Sequence, residues 1–305
     1  MEFFKTNLNV NFLGLRKYTG ILSSLAVLVS IVIFMVKGLN YGIEFTGGTQ
    51  VEVAFTTPVE IKVIATLLEE QGYHGSKLQY IGSSSEILIR FHEGVVGEPA
   101  LAKLALIFQE HHGMIKKTEY VGSEVGHKLA EEGAVAVLVA ILATMIYIAI
   151  RFEYRLAISA ALGLTHDALI ILGVFSFLQI EFDLAALASI LAVIGYSLND
   201  TIVVFDRLRE NFRVMRNGSV EDIVNLSLNQ TLSRTIMTSF LTLLVVIALL
   251  LFGGDSLFGF SLALFIGITV GTYSSIYVAS ALAIMLGLSR ADMLNKAHNV
   301  IDKLP

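Results

Sequence analysis

The chain of 305 residues has no cysteine, no tryptophan and three prolines, and only 15% of its residues are charged. The missing cysteine excludes a disulfide framework, thiolate metal sites and cysteine nucleophiles. Without tryptophan, anchoring at a membrane interface falls to Tyr, Phe, Lys and Arg. A formal net charge of −5, with no dense basic patch, excludes a nucleic-acid partner. No HExxH, GxSxG or P-loop pattern occurs. The expectation is a chain that is not an enzyme and holds no cofactor and no metal.

What is there is oil. Hydrophobic residues make up 55% of the chain and the mean hydropathy is +0.73, values of a protein integral to a membrane rather than a soluble domain. A bilayer crossing needs about 17–25 apolar residues. Runs of that kind lie at 18–36, 134–150, 156–178, 184–205, 235–252 and 258–288. The first follows Lys5, Arg16 and Lys17 but lacks a small-residue cleavage site, so it reads as a retained signal-anchor helix. Arg151 and Arg155 flank one hairpin, Arg207, Arg209, Arg213 and Arg216 crowd another, and Arg290, Lys296 and Lys303 follow the last run. The loops at 179–183 and 253–256 have neither Lys nor Arg, which places both termini in the cytoplasm.

The expected division is a cytoplasmic N-terminus with the first helix (1–37), an extracytoplasmic domain (38–133), helices two to six (134–288) and a cytoplasmic tail (289–305). A cytoplasmic amphipathic segment is expected at 206–233, with Ser219 as the N-cap of a surface helix. In the external stretch, "TQVEVAF" (49–55) alternates like a strand. "PVEIKVIATLLEEQ" (58–71) reads as a helix with proline in its first turn. "KLQYIG" (77–82) and "EILIRF" (86–91) form a hairpin across the serines, "EPALAKLALIFQEHH" (98–112) a second helix and "IKKTEYVG" (115–122) a last strand. The order βαββαβ is ferredoxin-like. The fold class is therefore a polytopic α-helical membrane protein of six transmembrane helices, with an α+β ferredoxin-like domain between the first two. His111 and His112 are adjacent, point apart on a helix, and make a poor metal pair.

An ionisable group within a span costs about 2.5–3.5 kcal/mol on insertion scales and marks function by default. Asp167, beside His166, Asp200, beside Asn199, and Arg234 are such groups. By helical spacing Ser197, Asp200, Thr201 and Val204 share a face, and Arg234, Thr238 and Thr242 form a polar stripe on the next span. Both Asp200 and Arg234 lie toward the cytoplasm, so Arg234 is the expected partner of Asp200. Position alone fits equally an Arg234 that snorkels to the headgroups, and an Asp200 that makes a structural hydrogen bond. The residues 206–210 cap the cytoplasmic end through contacts three and four residues apart. Gly259, Ala263, Gly267, Gly271, Ser275, Ala279 and Ala283 recur every fourth residue, a stripe that lets another helix approach closely.

Several stretches resemble one family. "YGIEFTGGTQ" (41–50) is similar to a Gly-Gly signature carried here by Glu44, Phe45, Thr46, Gly47 and Gly48, with Glu44 where the family usually has Asp. "IGYSLNDTIVVFDRLREN" (194–211), "HD" (166–167), "EFDL" (181–184) and "LSRTIMTS" (232–239) also fit. The chain resembles the SecD/SecF family of bacterial protein-translocase accessory subunits, in the resistance–nodulation–division superfamily. Its modest external segment fits the smaller of the family's two branches, which implies SecD as partner in a twelve-helix unit. The resemblance also implies a place in the bacterial inner membrane, beside the SecYEG translocon, SecA-driven preproteins and YajC. It implies proton conduction coupled to motion of the external domains, with Asp200 and Arg234 as the relay. Asn199, Asp167 and Thr238 join them as relay candidates, and the Gly-Gly segment serves as a motif or hinge.

Two other readings compete. Asp167 and Asp200 could form the two-carboxylate site of an intramembrane aspartyl protease. That family needs a proline motif within the spans, and Pro58, Pro99 and Pro305 all lie outside them. Half of a lipid or small-molecule exporter of the same superfamily would want larger external domains with a substrate cleft.

Overall fold

A computed structural model describes residues 10–91, 97–215 and 217–289. Apart from Ser289, the expected tail at 289–305 lies outside the described residues, as do Lys5 and Arg216. The chain opens with α1 (Arg16–Lys37), β1 (Asn40–Tyr41) and the one-turn helix α2 (Ile43–Thr46). The domain expected outside the membrane, called the external domain for that expectation, follows as β2 (Gly48–Phe55), α3 (Ile61–Glu70), β3 (Lys77–Ile81), β4 (Ser83–Phe91), α4 (Glu98–Glu110) and β5 (Gly113–Val121). Then come α5 (Ser123–Arg151), α6 (Tyr154–Leu178), β6 (Glu181–Phe182), α7 (Leu184–Val214) and α8 (Val220–Phe252). The last span is α9 (Asp255–Tyr273), continued by a π turn (Ser274–Ala279) and α10 (Ser280–Met285).

The external sheet has strand order β3-β4-β2-β5, all antiparallel, which is the ferredoxin-like arrangement the sequence order predicts. Strict alternation of burial along β2 sends Val51, Val53 and Phe55 to one face, where they meet Ile64, Leu68, Leu104 and Phe108 of the two helices. Two local expectations change. The hairpin turns at Gly82 (φ +62°), so the serines extend β4 instead of forming the loop. Pro58 precedes α3, because Glu60 keeps extended backbone angles and the helix starts after it.

Among the described residues, six helices are long and apolar enough to cross a membrane. Three boundaries differ from the sequence reading. Span two begins at Ser123, directly after β5, so the expected boundary at 133 falls inside α5. The segment 206–233 is no separate surface element: its first part prolongs α7 and its last part is the start of α8. Ser219 does cap that start, exchanging hydrogen bonds with Asp222 in a capping box.

Lipid is as apolar as leucine, so close approach and buried polar contacts must hold such a bundle together. In their most apolar windows, α6, α7 and the last span are 50%, 44% and 39% buried, against 6%, 11% and 17% for α1, α5 and α8. The first three therefore form the centre. Small residues make this possible: a side chain at Gly173 of α6 would collide with Ser30 of α1, and one at Gly267 of α9 with Val193 of α7. The stripe of small residues thus faces span four at Gly267 and span three at Ala279, whose Cβ lies 3.8 Å from where one on Gly163 would sit. Of its members Ala263, Ser275, Ala279 and Ala283 are at most 1% exposed, while Gly259 nears the Glu181 carbonyl, 3.5 Å from where a Cβ would sit. One apolar core gathers Phe45, Phe175, Phe182, Ile190 and Val193. A second gathers Phe12, Phe152, Phe205, Phe212 and Leu228. Between them, along α6, α7 and the last span, lies a polar layer.

Candidate functional site

Asp167, midway along α6, is 1% exposed and is the hub of that layer. Its Oδ2 accepts hydrogen bonds from Ser197 Oγ of α7 at 2.9 Å and from Ser274 Oγ of the π turn at 2.8 Å. His166 Nδ1 lies 3.0 Å from Oδ1. The wider π turn brings two consecutive serines inward. Ser274 meets Asp167, while Ser275 Oγ lies 3.0 Å from Thr201 Oγ1 and donates to the Ser197 carbonyl at 3.4 Å. Gly271 leaves room for this seam, since a Cβ there would lie 3.1 Å from Ser197 Oγ and 3.4 Å from Asp167 Oδ2. The His166 ring stacks on Tyr273, whose hydroxyl donates to the Thr19 carbonyl of α1 at 3.0 Å and lies 2.9 Å from Ser23 Oγ. Polar contacts therefore run from α1 through α6 to α7 and the last span. Sequence reasoning named Asp167 but missed Ser274, Tyr273 and Ser23; the signal was the "YSS" at 273–275, where polar residues interrupt an apolar run.

Asp200 has a different setting. It is 3% exposed and its Oδ2 is buried with no hydrogen-bond partner. The groups whose charge or dipole reaches it are Arg234 and Ser239 of α8. Ser239 Oγ accepts from Tyr196 at 3.4 Å and lies 2.7 Å from Thr272 Oγ1. The expected Asp200–Arg234 contact is not made: among the described residues no ion pair joins them, and Arg234 is exposed. Helical spacing supplies the reason. Thr235 and Ser239 face the bundle on α8, so Arg234, one residue earlier, is rotated by about 100°. Thr238 Oγ1 donates back to the Arg234 and Thr235 carbonyls at 3.0 Å each, and Thr242 does the same to Thr238 at 2.9 Å. Asn199, the residue before Asp200, is exposed. The structure thus brings Asp167 into a full set of donors, leaves Asp200 short of one, and keeps Arg234, Asn199 and Thr238 on the rim.

At the far end of the bundle the Gly-Gly segment forms a joint. β1 pairs in parallel with β6, Asn40 opposite Glu181 and Tyr41 opposite Phe182, and the Gly42 amide donates to the Phe182 carbonyl at 2.9 Å. Phe45 of α2 enters the bundle core against Phe182. Gly47 has φ +71°, and a Cβ there would sit 2.6 Å from the Ser123 backbone, so only glycine lets α5 start this close. Thr46 is exposed, and its hydroxyl donates to the Gly42 carbonyl at 3.1 Å. Gly48 (φ +126°) opens β2. Arg90 of β4 pairs with Glu181 of β6 and donates to Gln50 Oε1 at 3.1 Å. Burial pushes the Glu181 carboxyl up to about 7, with Glu44 and Asp183 adding to the effect and Arg90 opposing it. Glu44 is raised too, mainly by burial. The β1–β6 pairing was invisible to sequence reading, since two-residue strands carry no period.

On this geometry the likeness to known proteins can be placed. Residues 103–289 match the model of "Protein export membrane protein SecD/SecF, C-terminal", and residues 32–59 match the "SecD/SecF GG Motif". The chain is 45% identical over 298 residues to the protein translocase subunit SecF of Vibrio alginolyticus, covering 96% of this chain and 95% of that one. It is 46% identical over 281 residues to SecF of Escherichia coli O157:H7, covering 90% and 87%. Among solved structures, SecDF of Thermus thermophilus, a translocon-associated membrane protein, superimposes with TM-score 0.86 at 36% identity over 92% of this chain. This chain spans 39% of that longer one. With both family segments matched and near full-length likeness to SecF subunits, the chain belongs to the SecD/SecF family of protein-export membrane proteins, in its SecF branch.

Proposed function

We propose that this translocase subunit works with SecD in the bacterial inner membrane, where the two use the proton gradient to move their external domains and promote late translocation and release of preproteins. The buried Asp200 carboxylate, with one oxygen lacking a donor inside a membrane-crossing helix, carries this reading. A group left incomplete in one helix arrangement is completed in another, and its two charge states then favour different arrangements. Asp200 takes and releases the proton, Arg234 supplies the nearby positive charge, Thr238 and Asn199 line the rim, and Asp167 couples α6 to the moving helices. Both termini lie in the cytoplasm and residues 38–133 outside, in keeping with the arginines that crowd the α5–α6 and α7–α8 hairpins. The chain itself performs no bond-making chemistry. SecYEG supplies the channel, SecA the ATP-driven steps, and YajC is a further associate. Pairing with SecD is supported by the fused SecDF relative, which joins a SecF-like part to a longer chain.

Proteoliposomes holding this chain with SecD, SecYEG and SecA test the reading. An imposed proton gradient should speed preprotein release. A gradient that leaves release unchanged while driving efflux of a lipid or small molecule would replace it with the exporter reading.

A further inference from the structure

Where the external domain meets the bundle, one guanidinium stands among more carboxylates than it can neutralise. Arg90 is 4% exposed and pairs with Glu181. The charges that reach Glu181 are those of Arg90, Glu44 and Asp183, and those that reach Glu44 are Asp183, Glu119 and Arg90. Asp183 is engaged as the N-cap of α7, accepting the Ala186 amide at 2.6 Å, and Glu119 pairs with Lys117 at 2.6 Å. Lys77, opposite Arg90 on β3, donates to Asn40 Oδ1 at 3.4 Å. That leaves Glu44, whose Oε2 is buried without a partner, and Glu181. Both border Gly42: a side chain there would collide with the Glu44 carboxylate and come within 3.2 Å of Glu181 Oε1.

We propose that Glu44 and Glu181 hold one exchangeable proton between them, and that its uptake tightens the seat of the external domain on the bundle while its loss loosens it. The sign follows from desolvation. Seating takes two carboxylates out of water beside a single arginine, so the seated form binds the proton more tightly than a lifted, hydrated form. Proton binding must then favour seating by the same factor. A latch made of Arg90 and Glu181 alone would act the other way and open in acid. With Glu181 at about 7 in the seated form against an ordinary 4.5, the change falls between those values. The device is independent of the role given to Asp200.

The chain has no cysteine, so paired spin labels can be placed without background. The full chain carrying Glu69→Cys on α3 and Ser256→Cys on α9 is labelled in lipid nanodiscs, and the distance distribution is read by pulsed electron paramagnetic resonance. Between about pH 8.5 and about pH 5.5 the ratio of seated to lifted populations should rise by about thirtyfold. With Glu44→Gln added, which removes the second carboxylate and leaves Glu181 to pair with Arg90, the seated distance should dominate at both values. A ratio independent of pH, a domain that lifts in acid, or a response that survives in the Glu44→Gln variant would overturn the proposal. All proteins carry Asp200→Asn, so that this transmembrane carboxylate cannot respond to pH; a second label pair, Ile150→Cys and Val214→Cys, should then stay fixed, and movement there would assign the change to the bundle and count against the joint.

Discussion

Asp167 and Asp200 are both carboxylates buried in one bundle, and their neighbours make them different groups. Asp167 has two serine donors and a histidine around it, a satisfied polar hub that holds three helices in register. Replacing it with alanine strands these donors in a buried site, at a cost of about 3 kcal/mol. Asp167→Ala should therefore lower the unfolding temperature of the solubilised protein clearly, and Asp167→Asn, which keeps an acceptor oxygen, much less. Equal, unchanged unfolding temperatures for both would contradict the hub. Both aspartates were legible in the sequence, because a charge inside an apolar run stands out. Their partners were not. A rotation of about 100° per residue decides whether Arg234 or Thr235 faces the bundle, and a stretch with polar residues on every side, "NQTLSRTIMTS" (229–239), does not set that phase.

At the scale of elements, the last span was the most informative part of the sequence and the least complete. Its stripe of small residues announced a close helix contact. The structure adds that the contact is with α7, at Val193 and Ser197, and that a π turn shifts the stripe so that Ser274 also turns inward. Gly267→Leu should drive its side chain into Val193 and destabilise the fold by about 1–3 kcal/mol or more, seen as a lower unfolding temperature. A Gly267→Leu protein as stable as the parent would show that the two helices do not pack this closely. The cap of α8 makes a gentler prediction. Ser219→Ala should cost about 1 kcal/mol, measured by the same unfolding curve, since it removes the hydroxyl that accepts the Asp222 amide in the capping box. Ser219 was legible as a cap; the length of the helix behind it was not, because its polar first turns and apolar last turns read as two elements.

The whole molecule is a polar-layered bundle joined to a small ferredoxin-like domain, and the joint is short. The external chain returns directly into α5, the Gly-Gly turn is held against the start of that helix, and β1 is stitched to the loop between spans three and four. A shift among α5, α6 and α7 therefore reaches the external domain without a slack linker between. This is what a converter of ion movement into domain movement requires. One charge crossing the membrane gains about 2.3 kcal/mol per 100 mV, enough to bias a two-state element tens-fold. The measurement that tests this most directly is gradient-stimulated preprotein release by the Asp200→Asn protein, reconstituted with SecD, SecYEG and SecA. Asparagine keeps the shape of the side chain and holds it neutral, so the protein should fold, bind SecD and support the ATP-driven steps while the stimulation by the proton gradient disappears. Full stimulation in Asp200→Asn would contradict the account and leave Asp200 a structural hydrogen-bonding group.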